Sequence, residues 1–202
     1  MQISLIIGAA GAALTCVLVH GRGQTPADMA LVLPDLPGVR FVLPKSDGPG
    51  WYAARAIDPL TDATRAELAG ALQQLADLMA GQTGPVVLAG FSQGACLVAE
   101  YLLSGAALPV AACLFTGCRV GLPGDGLPCA GLARLPVYLT GGDADPWIPL
   151  DAFHRLYADL TGAGARVRTD LFPDRPHEVS GTERTRFRAM LSAILEDCDA
   201  LG

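Results

Sequence analysis

The feature that most constrains the fold of this chain is the sequence G-F-S-Q-G at positions 90–94. An apolar run at 85–89 precedes it, and a helical pattern from Ala95 to Ser104 follows it. A G-x-S-x-G sequence between a strand and a helix predicts a sharp turn that strains the serine and exposes its hydroxyl. Strand and helix nearly touch there, so only small residues fit two positions before and after Ser92. The flanking elements make the pattern specific, because a chain with 24 glycines would often contain a bare G-x-S-x-G by chance.

Short apolar runs alternate with helical patterns along the chain, which predicts a mostly parallel sheet with helices on both faces. The predicted strands lie at 3–7, 14–19, 39–43, 85–89, 110–115, 136–140 and 166–172. The predicted helices lie at 26–33, 63–80, 93–103, 150–160 and 183–198. The first two strands are joined too closely for a helical crossover, so we expect them to pair antiparallel. The length of 202 residues, with no linker or repeat, indicates a single domain, 1–202.

Composition and charge argue against several kinds of partner. The net charge of −6, the single lysine and the lack of a basic run argue against binding to nucleic acid or to an anionic membrane. The uncharged stretch 2–19 has a weakly hydrophobic middle and no preceding positive charge, so we expect buried strands and no integral membrane segment. The six cysteines form no C-x-x-C pair and no grouping with histidine. We therefore expect no metal site, and reduced thiols in a cytoplasmic protein.

A serine hydroxyl needs a base to remove its proton and an acid to orient that base. After an elbow of this kind the acid and then the base follow the serine, at the carboxyl ends of later strands. His20 comes too early in the chain, and His154 falls within a predicted helix. His177, just beyond the last predicted strand, is therefore the expected base.

Two aspartates follow the strand that precedes His177, in the sequence G-G-D-A-D-P-W at 141–147. Asp145 is favoured as the acid because the proline after it biases it toward an extended conformation, and because it lies nearer the next helix. Asp143 remains the alternative, with loop hydrogen bonding as its other role. Glu178 points away from the serine if His177 points inward, which suggests a supporting or surface position.

Acyl transfer also needs two backbone N–H groups that face the developing oxyanion. One is expected from Gln93, directly after the serine, and the other from Arg22 in the sequence H-G-R-G at 20–23. The two glycines let this loop fold tightly beside a substrate. We expect three aromatic residues to line the substrate groove, with ordinary half-buried packing as the alternative role. These residues are Trp51, Tyr52 and Trp147.

Together these motifs resemble the alpha/beta-hydrolase fold and, within it, the phospholipase/carboxylesterase family that includes acyl-protein thioesterases. The matching stretches are 18–23, 90–95, 142–149 and 176–178, and the likeness spans nearly the whole chain. The sequence G-F-S-Q-G is characteristic of this family rather than of the fold at large. The resemblance implies a serine hydrolase without metal or cofactor, often a homodimer, that cleaves small carboxylic esters or acyl thioesters through an acyl-enzyme intermediate.

Two departures from the family pattern bear on the substrate. Arg22 stands where an apolar residue or glycine is common, so it either favours an acidic acyl group or closes a salt bridge. The chain is also short for the family, which predicts an open, shallow site without a large lid.

Two other functions remain open at this point. One is a non-catalytic ligand-binding protein on the same fold, although no member of the triad is missing. The other is a dienelactone-hydrolase-like enzyme, which would use a cysteine where this chain has Ser92.

Overall fold

The computed structural model describes residues 2–202, with side chains from residue 5 onward, and its centre is one seven-stranded sheet. The strands are β1 (Gln2–Ile7), β2 (Leu14–Val19), β3 (Val39–Lys45), β4 (Val86–Phe91), β5 (Ala111–Phe115), β6 (Pro136–Gly142) and β7 (Arg166–Phe172). The helices are α1 (Pro26–Ala30), α2 (Asp62–Ala80), α3 (Gln93–Leu103), α4 (Leu150–Gly162) and α5 (Gly181–Leu195). The mostly parallel α/β architecture that the sequence predicts is confirmed.

Strand β2 illustrates why the central strands are almost entirely apolar. All six of its residues are buried, and successive side chains point to opposite faces of the sheet. Val17 and Val19 pack into one hydrophobic core, whereas Cys16 and Leu18 pack into the other. A strand with a core on each face is apolar at nearly every position, as expected for a parallel sheet covered on both sides, and Thr15 is the one polar residue of β2.

The expected pairing of the first two strands is wrong. Strand β1 is antiparallel, but it pairs with β3, and the spatial order is β1-β3-β2-β4-β5-β6-β7. Both edges of β2 are already occupied by parallel partners, β3 and β4. The connection after β1 therefore passes the start of β3. Gly8 lies so close there that a Cβ on it would be 2.4 Å from the carbonyl oxygen of Val39.

The helices cover both faces of the sheet. Helices α2, α3 and α4 pack into one core through residues such as Leu75, Leu102 and Leu156, and α1 and α5 pack into the other through Met29 and Phe187. The predicted boundaries are close to those observed, but α1 ends at Ala30 rather than at 33, and α5 ends at Leu195 rather than at 198. None of the helices in the described part of the chain is long and apolar enough to cross a membrane.

The parallel arrangement places several loops at one edge of the sheet. Strands β2 and β4 to β7 run in the same direction, so the segments after Val19, Phe91, Gly142 and Phe172 all begin at the same edge. Ligand sites in open α/β sheets form at this carboxyl edge. The predicted site residues Arg22, Ser92, Asp145 and His177 follow these strands.

Candidate active site

Ser92 forms the turn between β4 and α3, and its backbone is strained. Its φ is 54° and its ψ is −122°, a conformation that non-glycine residues adopt only when the surrounding structure imposes it. A Cβ on Gly90 would lie 2.6 Å from the backbone carbonyl carbon of Gly94, and a Cβ on Gly94 would lie 2.2 Å from the carbonyl oxygen of Val19. The close approach of strand and helix thus accounts for glycine at both positions, as the sequence predicts.

The structure brings together Ser92, His177 and Asp145, which come from three different loops. Nε2 of His177 lies 2.8 Å from Oγ of Ser92, and Nδ1 lies 2.7 Å from Oδ2 of Asp145. In the tautomer that suits both contacts, Nδ1–H donates to the carboxylate and Nε2 accepts from the serine hydroxyl. The ring of Phe91 lies 5.0 Å from the imidazole, between centroids, and forms part of its surroundings.

Asp145 is buried yet favours its charged form. Burial alone would raise the pKa of this carboxyl group, but hydrogen bonds from His177 and from the backbone N–H groups of Ile148 and Trp147 outweigh burial, so its pKa is lowered. The alternative acid, Asp143, is exposed, and its Oδ1 accepts a hydrogen bond from the backbone N–H of Asp174 at 2.7 Å. The structure therefore places Asp145 against the imidazole of His177, whereas Asp143 makes a loop hydrogen bond.

Two backbone N–H groups near Ser92 are free to bind an anion. Within the described residues, neither Arg22 nor Gln93 uses its backbone N–H in a hydrogen bond, although the N–H groups of Gly21, Gly23 and Gln24 are all engaged. Gln93 begins α3, where backbone N–H groups lack partners within the helix and the helix dipole favours negative charge. A Cβ on Gly21 would lie 3.1 Å from Cβ of Ser92, so this loop runs directly beside the serine.

His20 supports the loop that carries Arg22. The His20 side chain is buried, with Nδ1 2.7 Å from the carbonyl oxygen of Gly21, and Nε2 accepts from the backbone N–H of Ser46 at 3.2 Å. The indole N–H of Trp51 donates to the His20 carbonyl at 2.7 Å. Trp51 is buried and is not one of the described residues that line the substrate cavity. The structure thus corrects its expected place: Trp51 supports the loop rather than lining the groove.

The side chain of Gln93 ties the elbow to the segment around Trp51. Its Oε1 accepts from the backbone N–H of Trp51 at 3.0 Å, and its Nε2 donates to the carbonyl of Tyr52 at 2.8 Å. Gly50 leaves room for this contact, since a Cβ there would lie 2.3 Å from Oε1 of Gln93. The elbow glutamine therefore has a side-chain role that the sequence pattern did not indicate.

A cavity of about 370 Å³ opens beside Ser92 and His177. We call it the active-site cavity, and its other walls include Arg22, Tyr52, Arg55, Cys96, Trp147 and Ile148. Tyr52 and Trp147 therefore lie where the sequence predicts. Arg55, Cys96 and Ile148 were not foreseen, because no motif contains Arg55, Cys96 falls within a predicted helix, and the 142–149 stretch gives Ile148 no role of its own.

A buried ion pair underlies the loop of His177. Arg175 donates to the carbonyl of Glu178 and, at 2.7 Å, to the hydroxyl of Thr116, and it lies 3.8 Å from the carboxylate of Glu183. Glu183 has no exposed surface and also accepts from the hydroxyl of Thr140 at 2.5 Å. These contacts join the His177 loop to the ends of β5 and β6 and to α5.

Comparisons with known proteins identify the family and the fold. Residues 16–200 match the sequence model of the Alpha/beta hydrolase family, whereas no curated protein matches the chain at a significant level. Among solved structures, a phospholipase/carboxylesterase from Dyadobacter fermentans is 28% identical, with a TM-score of 0.82 and coverage of 94% of this chain and 97% of that one.

Two more distant structures show a shared fold. The esterase PE8 is 24% identical, with a TM-score of 0.77 and coverage of 96% of this chain and 100% of that one. Acyl-protein thioesterase 2 from Zea mays is 17% identical, with a TM-score of 0.75 and coverage of 98% of each chain. Because the family match covers nearly the whole sequence, and the structure has the mostly parallel sheet and the strand–Ser92–helix turn that the sequence predicts, the chain belongs to the alpha/beta hydrolase family.

Proposed function

We propose that this chain is a serine esterase that cleaves small carboxylic esters or acyl thioesters through an acyl-enzyme intermediate. The observation that carries the proposal is the hydrogen-bonded series from Oγ of Ser92 through His177 to Asp145, with contacts of 2.8 and 2.7 Å. A hydroxyl in such a series can lose its proton to the imidazole as it attacks a carbonyl carbon. The names of the solved relatives, a phospholipase/carboxylesterase, an esterase and an acyl-protein thioesterase, support the same class of reaction.

In the acylation step, Oγ of Ser92 forms a bond to the acyl carbon while its proton moves to Nε2 of His177. The carbonyl electron pair moves onto the oxygen, which then accepts hydrogen bonds from the backbone N–H groups of Arg22 and Gln93. Each such donor typically lowers the barrier by about 3 kcal/mol. When the carbonyl reforms, the bond to the alcohol or thiol breaks, and the leaving group takes the proton from Nε2.

Deacylation repeats these steps with water. His177 accepts a proton from the water as its oxygen attacks the acyl carbon, and the proton then passes to Oγ of Ser92 as the ester bond to the enzyme breaks. Asp145 stays ionised, because its pKa is lowered, and its charge stabilises the imidazolium form of His177 in both steps.

The size of the active-site cavity favours a short acyl group. Its volume of about 370 Å³ is near the lower end of the range of ligand pockets, roughly 300–1,000 Å³. Tyr52, Ile148 and Trp147 supply apolar surface on its walls. A homodimer and a cytoplasmic location remain predictions from the sequence.

Labelling with a fluorophosphonate probe tests the mechanism directly. We expect the probe to modify the wild type at Ser92 and to leave the Ser92→Ala variant unlabelled. The same variant should lose roughly six orders of magnitude in turnover of para-nitrophenyl acetate and of an acyl thioester, with its circular dichroism unchanged. Ser104→Ala, at the far end of α3, is the matched control and should be labelled like the wild type.

Two results would contradict the proposal. Retained turnover in Ser92→Ala would indicate another nucleophile. A wild type that is neither labelled nor active would favour the non-catalytic ligand-binding alternative.

A further inference from the structure

The guanidinium group of Arg22 is held at the wall of the active-site cavity, and no carboxylate among the described residues pairs with it. It donates to three backbone carbonyls, those of Tyr52 at 3.1 Å, Ala53 at 2.8 Å and Ala54. Carbonyl oxygens fix the position of the group but do not neutralise its charge. Of the salt bridge and the acidic ligand that the sequence suggested for Arg22, the salt bridge is not formed with any described residue.

The guanidinium group of Arg22 also has N–H donors that these three hydrogen bonds do not use. A guanidinium group has five N–H donors, and three hydrogen bonds to the loop are present, which leaves two N–H groups without a partner among the described residues. A planar group with donors to spare is well suited to a carboxylate.

Arg55 adds a second positive charge to the same cavity. Its side chain is exposed and lines the wall next to Tyr52, and its guanidinium makes no hydrogen bond or ion pair within the described part of the chain. Two carboxylates of this region accept from backbone N–H groups and not from the Arg55 guanidinium: Asp58 accepts from the backbone N–H of Arg55, and Glu67 accepts from that of Ala53.

These two arginines contrast with the rest of the molecule. The chain has a net charge of −6, yet none of the described residues that line the active-site cavity is acidic. An anionic substrate therefore meets no repelling carboxylate on the cavity walls, whereas a neutral substrate would gain no charge–charge attraction from either guanidinium group.

We propose that the substrate is an ester or thioester whose acyl group ends in a carboxylate, and that Arg22 and Arg55 bind this carboxylate. The inference rests on the serine esterase function proposed above and names the class of its substrate. The positions of Arg22 and Arg55 indicate that the substrate carboxylate belongs to the acyl group rather than to the leaving group. The leaving group must lie near His177, which protonates it, whereas Arg22 and Arg55 belong to the loops on the oxyanion side, joined to the elbow through Gln93.

The test compares two pairs of matched esters by kcat/KM, corrected for spontaneous hydrolysis. In the acyl pair, the mono-para-nitrophenyl ester of adipic acid is compared with the same ester carrying a terminal primary amide. In the leaving-group pair, the acetate ester of para-hydroxybenzoate is compared with that of para-hydroxybenzamide. We expect the carboxylate to be preferred about tenfold in the acyl pair at low salt, with a preference that weakens as salt is added, and no preference in the leaving-group pair.

Variants of single arginines distinguish the effect of a positive charge at the active-site cavity from the effect of the overall charge of the protein. Arg55→Gln should reduce the preference in the acyl pair toward unity. Arg184→Gln removes the same charge from an exposed position on α5, and it should keep the preference of the wild type.

Each contrary outcome has a distinct meaning. If both esters of the acyl pair are hydrolysed without preference for the carboxylate, the inference is wrong and the esterase function stands. A preference confined to the leaving-group pair overturns the assignment to the acyl side. If no ester is hydrolysed and Ser92 takes no fluorophosphonate label, the proposed function fails and the inference fails with it.

Discussion

Asp145 carries a charge that burial opposes and that three hydrogen bonds sustain: one from His177 and two from the backbone N–H groups of Trp147 and Ile148. Replacement of Asp145 by asparagine removes the charge and allows the amide to favour the wrong tautomer of His177. We expect kcat for para-nitrophenyl acetate in Asp145→Asn to fall about 10⁴-fold, with the fold retained.

The matched control for this variant is Asp143→Asn, two residues away. In the described part of the chain, its carboxylate accepts only from the backbone N–H of Asp174 in an exposed loop, and an asparagine oxygen can accept the same bond. Activity close to that of the wild type is expected. If Asp143→Asn lost activity as severely as Asp145→Asn, the assignment of the orienting acid would be wrong.

The sequence alone favoured Asp145 through its proline neighbour but left Asp143 open. Both residues follow the same strand, and nothing in their spacing states which carboxylate meets a histidine 32 residues farther along. The choice depends on how the loops after β6 and β7 close over each other, which is a property of the tertiary structure.

His20 should make stability depend on pH. Burial lowers its pKa from the ordinary value of 6.5, and the neutral ring accepts a hydrogen bond from Ser46 that a protonated ring would lose. The unfolded chain therefore binds more protons than the folded chain as pH falls below about 6.5, so the free energy of unfolding decreases with acidification. Above that pH the contribution of His20 is fully present.

The measurement is urea denaturation at pH 7 and pH 5 for the wild type and for His20→Phe. The variant should be less stable at pH 7, because the contacts to Gly21 and Ser46 are lost, but its stability should change less between the two pH values. His154→Phe, a substitution of an exposed histidine on α4, should keep the pH dependence of the wild type. An unchanged dependence in His20→Phe would show that another group is responsible.

At the scale of elements, the packing of α3 against β2 depends on the absence of a side chain at Gly94. A Cβ there would lie 2.2 Å from the carbonyl oxygen of Val19 and 2.6 Å from that of His20, and both contacts are with backbone that has little freedom to move. We expect Gly94→Ala to destabilise the fold by about 1–3 kcal/mol or more, as overpacking does, and to reduce activity by shifting the elbow.

Gly70 provides the comparison, because it lies within α2 and a Cβ there would meet nothing within 4 Å. Alanine at this helical position should stabilise the protein by roughly 0.4–1 kcal/mol. Denaturant unfolding of both variants tests the pair. Equal effects at the two positions would contradict the close approach of helix and strand at the elbow.

Most elements could be recognised from local sequence, but their lateral order could not. The period of apolar residues reveals strands and helices, and the elbow glycines reveal one helix–strand contact. The partner of β1 depends instead on which edges of the sheet are still free, and both edges of β2 are taken by strands that come later in the chain. A short connection favours pairing between two consecutive strands only when the partner strand still has a free edge.

For the whole molecule, the residues of the proposed triad can be predicted from the sequence, whereas the residues that support them cannot. Ser92 and His177 stand in patterns that chemistry constrains, so the sequence alone predicts that the two residues come together, and the structure places them 2.8 Å apart. The buried pair of Arg175 and Glu183 and the cavity position of Arg55 arise from contacts between loops with no fixed spacing. The sequence does not indicate a role for an arginine two residues before a histidine. The role of Arg175 follows only from its contacts with Thr116 and Glu183.

The reactivity of the six cysteine thiols depends on how compact the whole fold is. Four of them, Cys16, Cys96, Cys113 and Cys118, are buried, and two, Cys129 and Cys198, are exposed. A thiol reacts as its thiolate, and burial raises the pKa of Cys16 and Cys113. We therefore expect an aromatic disulfide reagent to modify two thiols per chain rapidly in the native protein and six after denaturation.

The Cys129→Ser, Cys198→Ser double variant sharpens this measurement, because it should leave no rapidly reacting thiol in the native state. Cys96 is the decisive residue, since it lines the active-site cavity and yet has no exposed surface. One rapid thiol in the double variant would indicate that the cavity opens beyond its observed shape. Reaction of all four remaining thiols together would instead reveal global unfolding, because Cys16 and Cys113 become accessible only when the sheet itself comes apart.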